Sequence, residues 1–327
     1  MTADTRLNAA SNAGVAVNLA TTATTATGNT GDSNAAGAAA MTGVFTQNTG
    51  AVAIYGHSHI EAPNATAGDV TSSTQAIGNS QGFGISYAAS GVRVNQTNNA
   101  TVTADGGGVI GETTGSTVIA GAAAANNVTN SGALSAAERM IVTQRNNAAL
   151  TQASQFTAFG SSYLATTSAT ATGNNISATN QGPLLDVTAD QNNQAYVRAQ
   201  AENSSYLYSA PQVSAYGVGN SVLAGDLNGQ LVLDNAQVND GGGIESVASF
   251  TGGQGYDPTV SSTAVGNAAT GYACGDCGGM SIESRQVNNV DVGATSTTTI
   301  TGYARRVNGV ATAVGNTATY YVNRPGS

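Results

Sequence analysis

The dipeptide Gly-Asn recurs along this chain at a nearly constant step, and few folds can absorb such a repeat. It stands at Gly28-Asn29, Gly78-Asn79, Gly173-Asn174, Gly219-Asn220, Gly266-Asn267 and Gly315-Asn316, and Ala125-Asn126-Asn127 fills the one gap. Counted Asn to Asn, the steps are 50, 47, 48, 46, 47 and 49 residues. A second motif, Gln-x-Asn-x, runs out of phase with the first from Gln47, Gln96, Gln144, Gln191, Gln237 and Gln286. Each Gln lies 18–20 residues after a Gly-Asn and 28–31 before the next. Self-similarity at a period of 20–50 residues marks a solenoid or an array.

Around both motifs side chains alternate with period two, as in Val92-Arg93-Val94-Asn95 and Leu231-Val232-Leu233-Asp234, which is the strand signature. The reading is an all-β chain, a β-solenoid of stacked two-layer rungs. Taking each half-repeat of about 20 residues as one strand-turn-strand rung gives about 13 half-repeats and a rod of roughly 60 Å. The whole of 1–327 is read as one repetitive unit, with repeats 28–77, 78–125, 126–172, 173–218, 219–265, 266–314 and a partial repeat 315–327.

Equivalent residues of stacked rungs lie about 4.8 Å apart. An amide both donates and accepts, so an Asn or Gln at one place in every rung builds a self-satisfying ladder even when buried. The expected ladder residues are Gln47, Asn79, Gln96, Asn99, Gln144, Asn147, Asn174, Gln191, Asn193, Asn220, Gln237, Asn267, Gln286, Asn289 and Asn316. Gly beside Asn reads as a turn, because both tolerate positive φ.

Composition supports a stack over an ordinary globule. Charged residues make up 8% and aromatics 5%, there is no Trp, and all nine basic residues are Arg. A conventional core needs more large apolar side chains, whereas a stacked core closes on Ala, Val, Thr and Ser. Charge density this low also argues against disorder. The net charge of −9 leaves no basic face for nucleic acid. No apolar run is long enough for a transmembrane helix. Thr2 to Asn8 lack the basic-then-apolar pattern of a leader, so an exported chain is expected to have lost its leader already.

The long half-repeats carry about ten extra residues, read as loops on one side of alternate rungs. They are Gly56 to Asp69, Asp105 to Gly115, Glu202 to Pro211, Asp240 to Pro258 and Thr297 to Gly309. Tyr55, Tyr206, Tyr208, Phe250, Tyr256, Tyr303, Arg305 and Arg306 lie in or beside them and are the candidate partner-binding residues.

Chemistry is sparse. Cys274 and Cys277 are the only cysteines; zinc needs two more ligands, so a local disulfide is expected. His57, His59 and Glu61 fall on one face if their segment is a strand, a weak divalent-metal candidate confined to one repeat. Gly252-Gly253-Gln254-Gly255-Tyr256-Asp257 matches part of a calcium-binding nonapeptide, in a single copy. Asp105-Gly106-Gly107-Gly108 and Asp240-Gly241-Gly242-Gly243 read as turns. No nucleophile or paired-carboxylate motif is present, so the expectation is a non-enzyme without cofactor or metal.

The series Gln144, Asn147, Ala148 and Gln152, with Gly266-Asn267-Ala268-Ala269 and Gly315-Asn316-Thr317-Ala318, resembles the curli subunit repeat. The Thr/Ala-rich frame in Ala23–Asn29, Met41–Asn48 and Thr263–Thr270 is similar to the holdfast anchor (HfaD) family of stalked bacteria. That resemblance implies a secreted, outer-membrane-associated surface protein, exported through a curli-type pore. It further implies a role in fastening a polysaccharide adhesin to the envelope alongside other fibre or anchor subunits. A self-polymerising fibre subunit, stacking end to end, is the alternative, and a solenoid polysaccharide-active enzyme the distant one.

Overall fold

The computed structural model describes residues 1–9, 15–37, 39–134, 137–275 and 278–323. Those residues form seventeen β-strands and no helix. The chain winds through seven coils. Coil 1 holds β1 (Thr2–Asn8), β2 (Ala16–Ala36) and β3 (Ala40–Asn48). Coil 2 holds β4 (Ile54–Ser86) and β5 (Ala89–Asn98), coil 3 holds β6 (Val102–Ala133) and β7 (Ala137–Asn146), and coil 4 holds β8 (Leu150–Asn180) and β9 (Leu184–Asn193). Coil 5 holds β10 (Tyr196–Tyr208), β11 (Gln212–Asp226) and β12 (Gln230–Asn239); coil 6 holds β13 (Ile244–Gly255), β14 (Thr259–Cys274) and β15 (Gly279–Asn288). Coil 7 holds β16 (Val292–Ala304) and β17 (Asn308–Asn323).

Every pairing is parallel and joins like to like one repeat away. Asn29, Asn79, Asn126, Asn174, Asn220, Asn267 and Asn316 fall in one column. Gln47, Gln96, Gln144, Gln191, Gln237 and Gln286 fall in another. The fold is therefore a β-solenoid, but its rung is the whole repeat. Half-repeats cannot stack on one another, because Gln would then lie over Gly-Asn and neither ladder would run. Seven coils replace the thirteen rungs, and six steps of about 4.8 Å give a rod of roughly 29 Å, half the expected length.

Within a coil, three segments enclose the core. The first segment (β1, the start of β4, β6 and β8, then β10, β13, β16) and the third (β3, β5, β7, β9, β12, β15) both pack against the long second segment. Ile54, Val102, Val197 and Ile244 of the first meet Ala76, Ala123, Ala169, Ala215 and Ala264 of the second. Val94, Val142, Val187 and Leu233 of the third meet Ile85, Val128, Ile176 and Val222. The alanines keep the layers close, which is how a chain so poor in aromatics closes a core.

The Gly-Asn pair sits mid-strand in the second segment, opposite the junction of the other two. It is not a turn: among the described glycines positive φ occurs only at Gly37, Gly107, Gly241 and Gly275. It is instead where the inward-outward alternation slips by one residue, so that Gly78 and Asn79, like Gly173 and Asn174, both face inward. A Cβ on Gly78 would lie 2.3 Å from the Ala125 carbonyl oxygen and 2.6 Å from Asn98 Oδ1. Gly173, Gly219 and Gly266 are crowded in the same way by the next coil and by Asn193, Asn239 and Asn288.

Three amide ladders converge on this seam. In the first, each Asn donates to the next, from Asn29 Nδ2 to Asn79 Oδ1 and on to Asn316, at 2.7–2.8 Å. The Gln ladder runs the opposite way: Gln96 Nε2 donates to Gln47 Oε1, and so on up to Gln286, at 2.7–2.8 Å. The third holds Asn98, Asn146 and Asn193, with Asn98 and Asn146 donating upward at 3.0 and 2.8 Å. It is capped below by the Thr49 hydroxyl, at 2.7 Å from Asn98 Oδ1, and continues loosely from Asn239 to Asn288 at 3.4 Å.

That third ladder takes the buried place of three expected positions, two of which, Asn99 and Asn147, form a ladder with Asn48 on the outer face instead. Strand alternation puts Gln144 and Asn146 on the same side, and Asn147 on the other. Asn99 and Asn147 accordingly bond each other on the outside, at 3.2 Å, and Asn289 is exposed.

Candidate functional site

The five segments expected as loops are mostly strand. Gly56 to Asp69 lies within β4 and Asp105 to Gly115 within β6; Glu202 begins inside β10, and Thr297 to Ala304 closes β16. The extra residues of the long half-repeat form the first segment of the coil and its corner with the second. Only short corners remain outside strands, such as Ser209–Pro211, Tyr256–Pro258 and Arg305–Val307. Asp240 to Gly243 is indeed such a corner, whereas Asp105 to Gly108 is strand, with Gly107 at φ 151°.

At the corner, register stacks Glu112, Ser161, Leu207, Gln254 and Tyr303 in one column. Thr113, Ser162, Tyr208, Gly255 and Ala304 form the next. Beyond them come Thr114, Tyr163, Ser209, Tyr256 and Arg305. Together these columns line an open cleft of about 550 Å³ running over coils 3–7.

Tyr208 forms its floor. Only 4% of it is exposed; its ring meets Phe250 edge-on at 5.0 Å, and its hydroxyl donates to the Tyr303 carbonyl at 3.2 Å. Burial raises its pKa above the usual phenol value. Tyr163, Tyr256 and Tyr303 stand at the rim, 57%, 53% and 60% exposed. Arg305 lies over the Tyr256 ring, 5.5 Å from its centre, and is held by a two-pronged bond to Asp257, whose carboxyl it lowers.

The glycine-rich stretch before Asp257 makes room for these rings. A Cβ on Gly252 would strike Tyr208 and Phe250, one on Gly253 the Tyr206 ring, and one on Gly255 the Tyr208 ring at 2.4 Å. The stretch is thus read as aromatic packing rather than calcium binding, with Asp257 committed to Arg305.

A family model described as holdfast attachment protein D matches residues 1–243. The chain belongs to that family. No curated protein and no solved structure matches it. Membership assigns the chain to holdfast attachment, a cell-surface role. The HfaD match ends at Gly243, immediately before β13, and so takes in five whole coils; the cleft is shared between those coils and the two that follow.

The remaining candidate residues of this HfaD chain fall elsewhere. Phe250 is 1% exposed and supports Tyr208 from inside, so it cannot touch a partner. Tyr206 is exposed beside the cleft, and Arg306 lies on the corner beyond Arg305.

Tyr55, His57, His59 and Glu61 point outward along β4 with their rings stacked, Tyr55 on His57 and His57 on His59. The Tyr55 hydroxyl donates to Asp105 at 3.1 Å; burial, then Asp105, pushes its pKa to about 12. His57 pairs with Asp105 and His59 with Glu61, so the weak metal triad is split into two pairs. Among the described residues no three His, Cys, Asp or Glu side chains are grouped to hold a metal. Cys274 closes β14, half-buried, and Cys277 lies outside the described residues.

Sequence reasoning passed over Tyr163, although it is one repeat-column partner of Tyr256; aligning whole repeats would have found it. It also passed over Glu138, a carboxyl inside the seam of the second and third segments. Burial raises its pKa from 4.5 to about 7, aided by the charge of Asp226 and opposed by a hydrogen bond from Asn130. Gly132 leaves the space it occupies, since a Cβ there would lie 2.0 Å from Glu138 Oε1.

Proposed function

We propose that this chain is a rigid, non-catalytic element of the cell surface that fastens the polysaccharide of the holdfast to the envelope, in company with other anchor or fibre subunits. Its natural setting in this reading is outside the outer membrane, reached through a curli-type export pore. The observation that carries the reading is the split between inside and outside. The seam is spent on amide ladders that hold coils in register, while the exposed tyrosines and the ion pairs, such as Arg139–Asp186 at 3.3 Å and Arg198–Glu245 at 2.9 Å, stand on outward faces. Such a body transmits load without itself rearranging. Deleting the gene should leave cells that still make holdfast polysaccharide but shed it under flow. A deletion strain that keeps its holdfast would sink the proposal.

A second reading, a self-assembling fibre subunit, draws on the direction of the ladders. Every Asn of the Gly-Asn column donates toward coil 7, so Asn29 offers its oxygen at one end and Asn316 its amide at the other, as head-to-tail stacking requires. Electron microscopy of the purified protein separates the two: discrete short rods support the anchor, and long fibres with a repeat of about 4.8 Å support the polymer.

A further inference from the structure

We propose that the corner cleft over coils 3–7 is a binding subsite for an extended, uncharged, β-linked polysaccharide chain lying along the solenoid axis. The reading of the chain as a holdfast anchor matters here only for where such a polymer comes from.

Geometry supplies the first argument. The lining residues come from five successive coils at one register, so the cleft runs straight along the axis for roughly 19 Å, four steps of stacking. A pyranose in an extended chain advances by about the rise of one coil. Each sugar therefore meets its own rung of side chains: Glu112 and Thr114, then Ser161, then Ser209, then Gln254, each able to bond a ring hydroxyl.

The aromatic rims give the second. Tyr163 and Tyr256 occupy the same column two coils apart, roughly 10 Å along the axis. In an extended β-linked chain every second sugar presents the same face, so one polymer can lay its apolar ring faces on both tyrosines at once. Stacking platforms gain from being held in advance. Arg305, fixed by Asp257, holds the Tyr256 ring from the next coil.

Other occupants fit less well. A peptide that binds by adding a strand needs a free strand edge, and the β8, β10 and β13 backbones beside the cleft are paired on both sides. An anionic polymer would meet Glu112 in the cleft lining, which contains no arginine. An apolar helix would bury the Ser and Thr hydroxyls unpaired.

The test is calorimetric titration of the full chain with three probes: cellohexaose, which is extended and neutral; maltohexaose, which coils; and hexagalacturonate, which is anionic. Cellohexaose should bind in preference to the other two. Tyr163→Ala and Tyr256→Ala should each weaken it about tenfold, while Tyr216→Ala, on the outer face of β11, should leave it unchanged. Both rim residues are largely exposed, so an unaltered far-UV spectrum shows that a lost signal is not lost fold. Binding of none of the probes, equal binding of all three, or cellohexaose binding that survives both rim substitutions overturns the subsite. The two proposals fail separately: a deletion strain that keeps its holdfast overturns the attachment reading, whereas a protein deaf to cellohexaose overturns only the subsite.

Discussion

Along the Gly-Asn seam each coil repeats its neighbour, Asn over Asn and Gln over Gln. Along the corner no two adjacent coils agree: Tyr163 lies under Ser209, and Ser209 under Tyr256. Both belong to the same strands, and they differ in what stacking asks of them. In the seam an amide is satisfied only by another amide directly above it, so any departure strands a buried polar group. At the corner the outward side chains face water, and bulges between Thr113 and Ser116 and between Gly252 and Gln254 absorb differences in spacing. Regularity marks what holds the rod together, and irregularity marks what the rod can offer to a partner.

That contrast can be broken in four places. The largest effect is expected where the corner borrows the core. Phe250→Ala removes a buried ring and the edge contact beneath Tyr208, and should cost about 4 kcal/mol in urea unfolding while also collapsing the cleft floor. Next comes the ladder itself. Asn174→Ala removes the acceptor of Asn126 and the donor to Asn220, and should lower stability by about 3 kcal/mol. Its outward counterpart Asn147→Ala should cost less than about 0.5 kcal/mol, because that amide is wet already. Equal losses at Asn174 and Asn147 would erase the distinction between seam and surface.

A third, smaller effect depends on pH. The Glu138 carboxyl titrates near 4.5 when unfolded and near 7 when folded, so burial favours its protonated form. Its contribution is complete below about pH 4.5 and is lost as the pH rises through 7. Glu138→Gln should therefore raise stability at pH 8 by about 2 kcal/mol and change little at pH 4. Thermal melts at the two pH values read this directly, and a benefit of equal size at both would refute it. Smallest of all, Tyr256→Ala should leave the unfolding midpoint in place, since that ring projects from the corner into solvent. A clear shift in the midpoint would make the tyrosine structural and weaken its assignment to a partner.

Much of the seam was legible in the letters. The Gly-Asn and Gln columns were visible as periods, because a ladder demands the same residue at each turn. The rung itself was misjudged: two motifs about 20 residues apart look like two rungs until register shows that each stacks only on its own kind. The choice of Asn147 over Asn146 was a slip of one residue, which in a strand exchanges inside for outside. The corner was hardly legible at all. Tyr208 and Tyr256 look alike in sequence, yet one forms the floor and the other the rim, because Gly252 and Gly255 of the following coil leave room for the first.

The sequence by itself determined that the chain stacks, at what period, and with which amides in the Gly-Asn and Gln ladders, since a repeated polar residue in a buried column can be satisfied only by its copies. Only the tertiary structure decided that the whole repeat is one coil, that Gly-Asn is a mid-strand slip rather than a turn, and that tyrosines from four coils gather along one corner. Those outcomes depend on contacts between residues some 47 positions apart, where each coil's small residues set the space its neighbours may fill, and no local pattern carries that information.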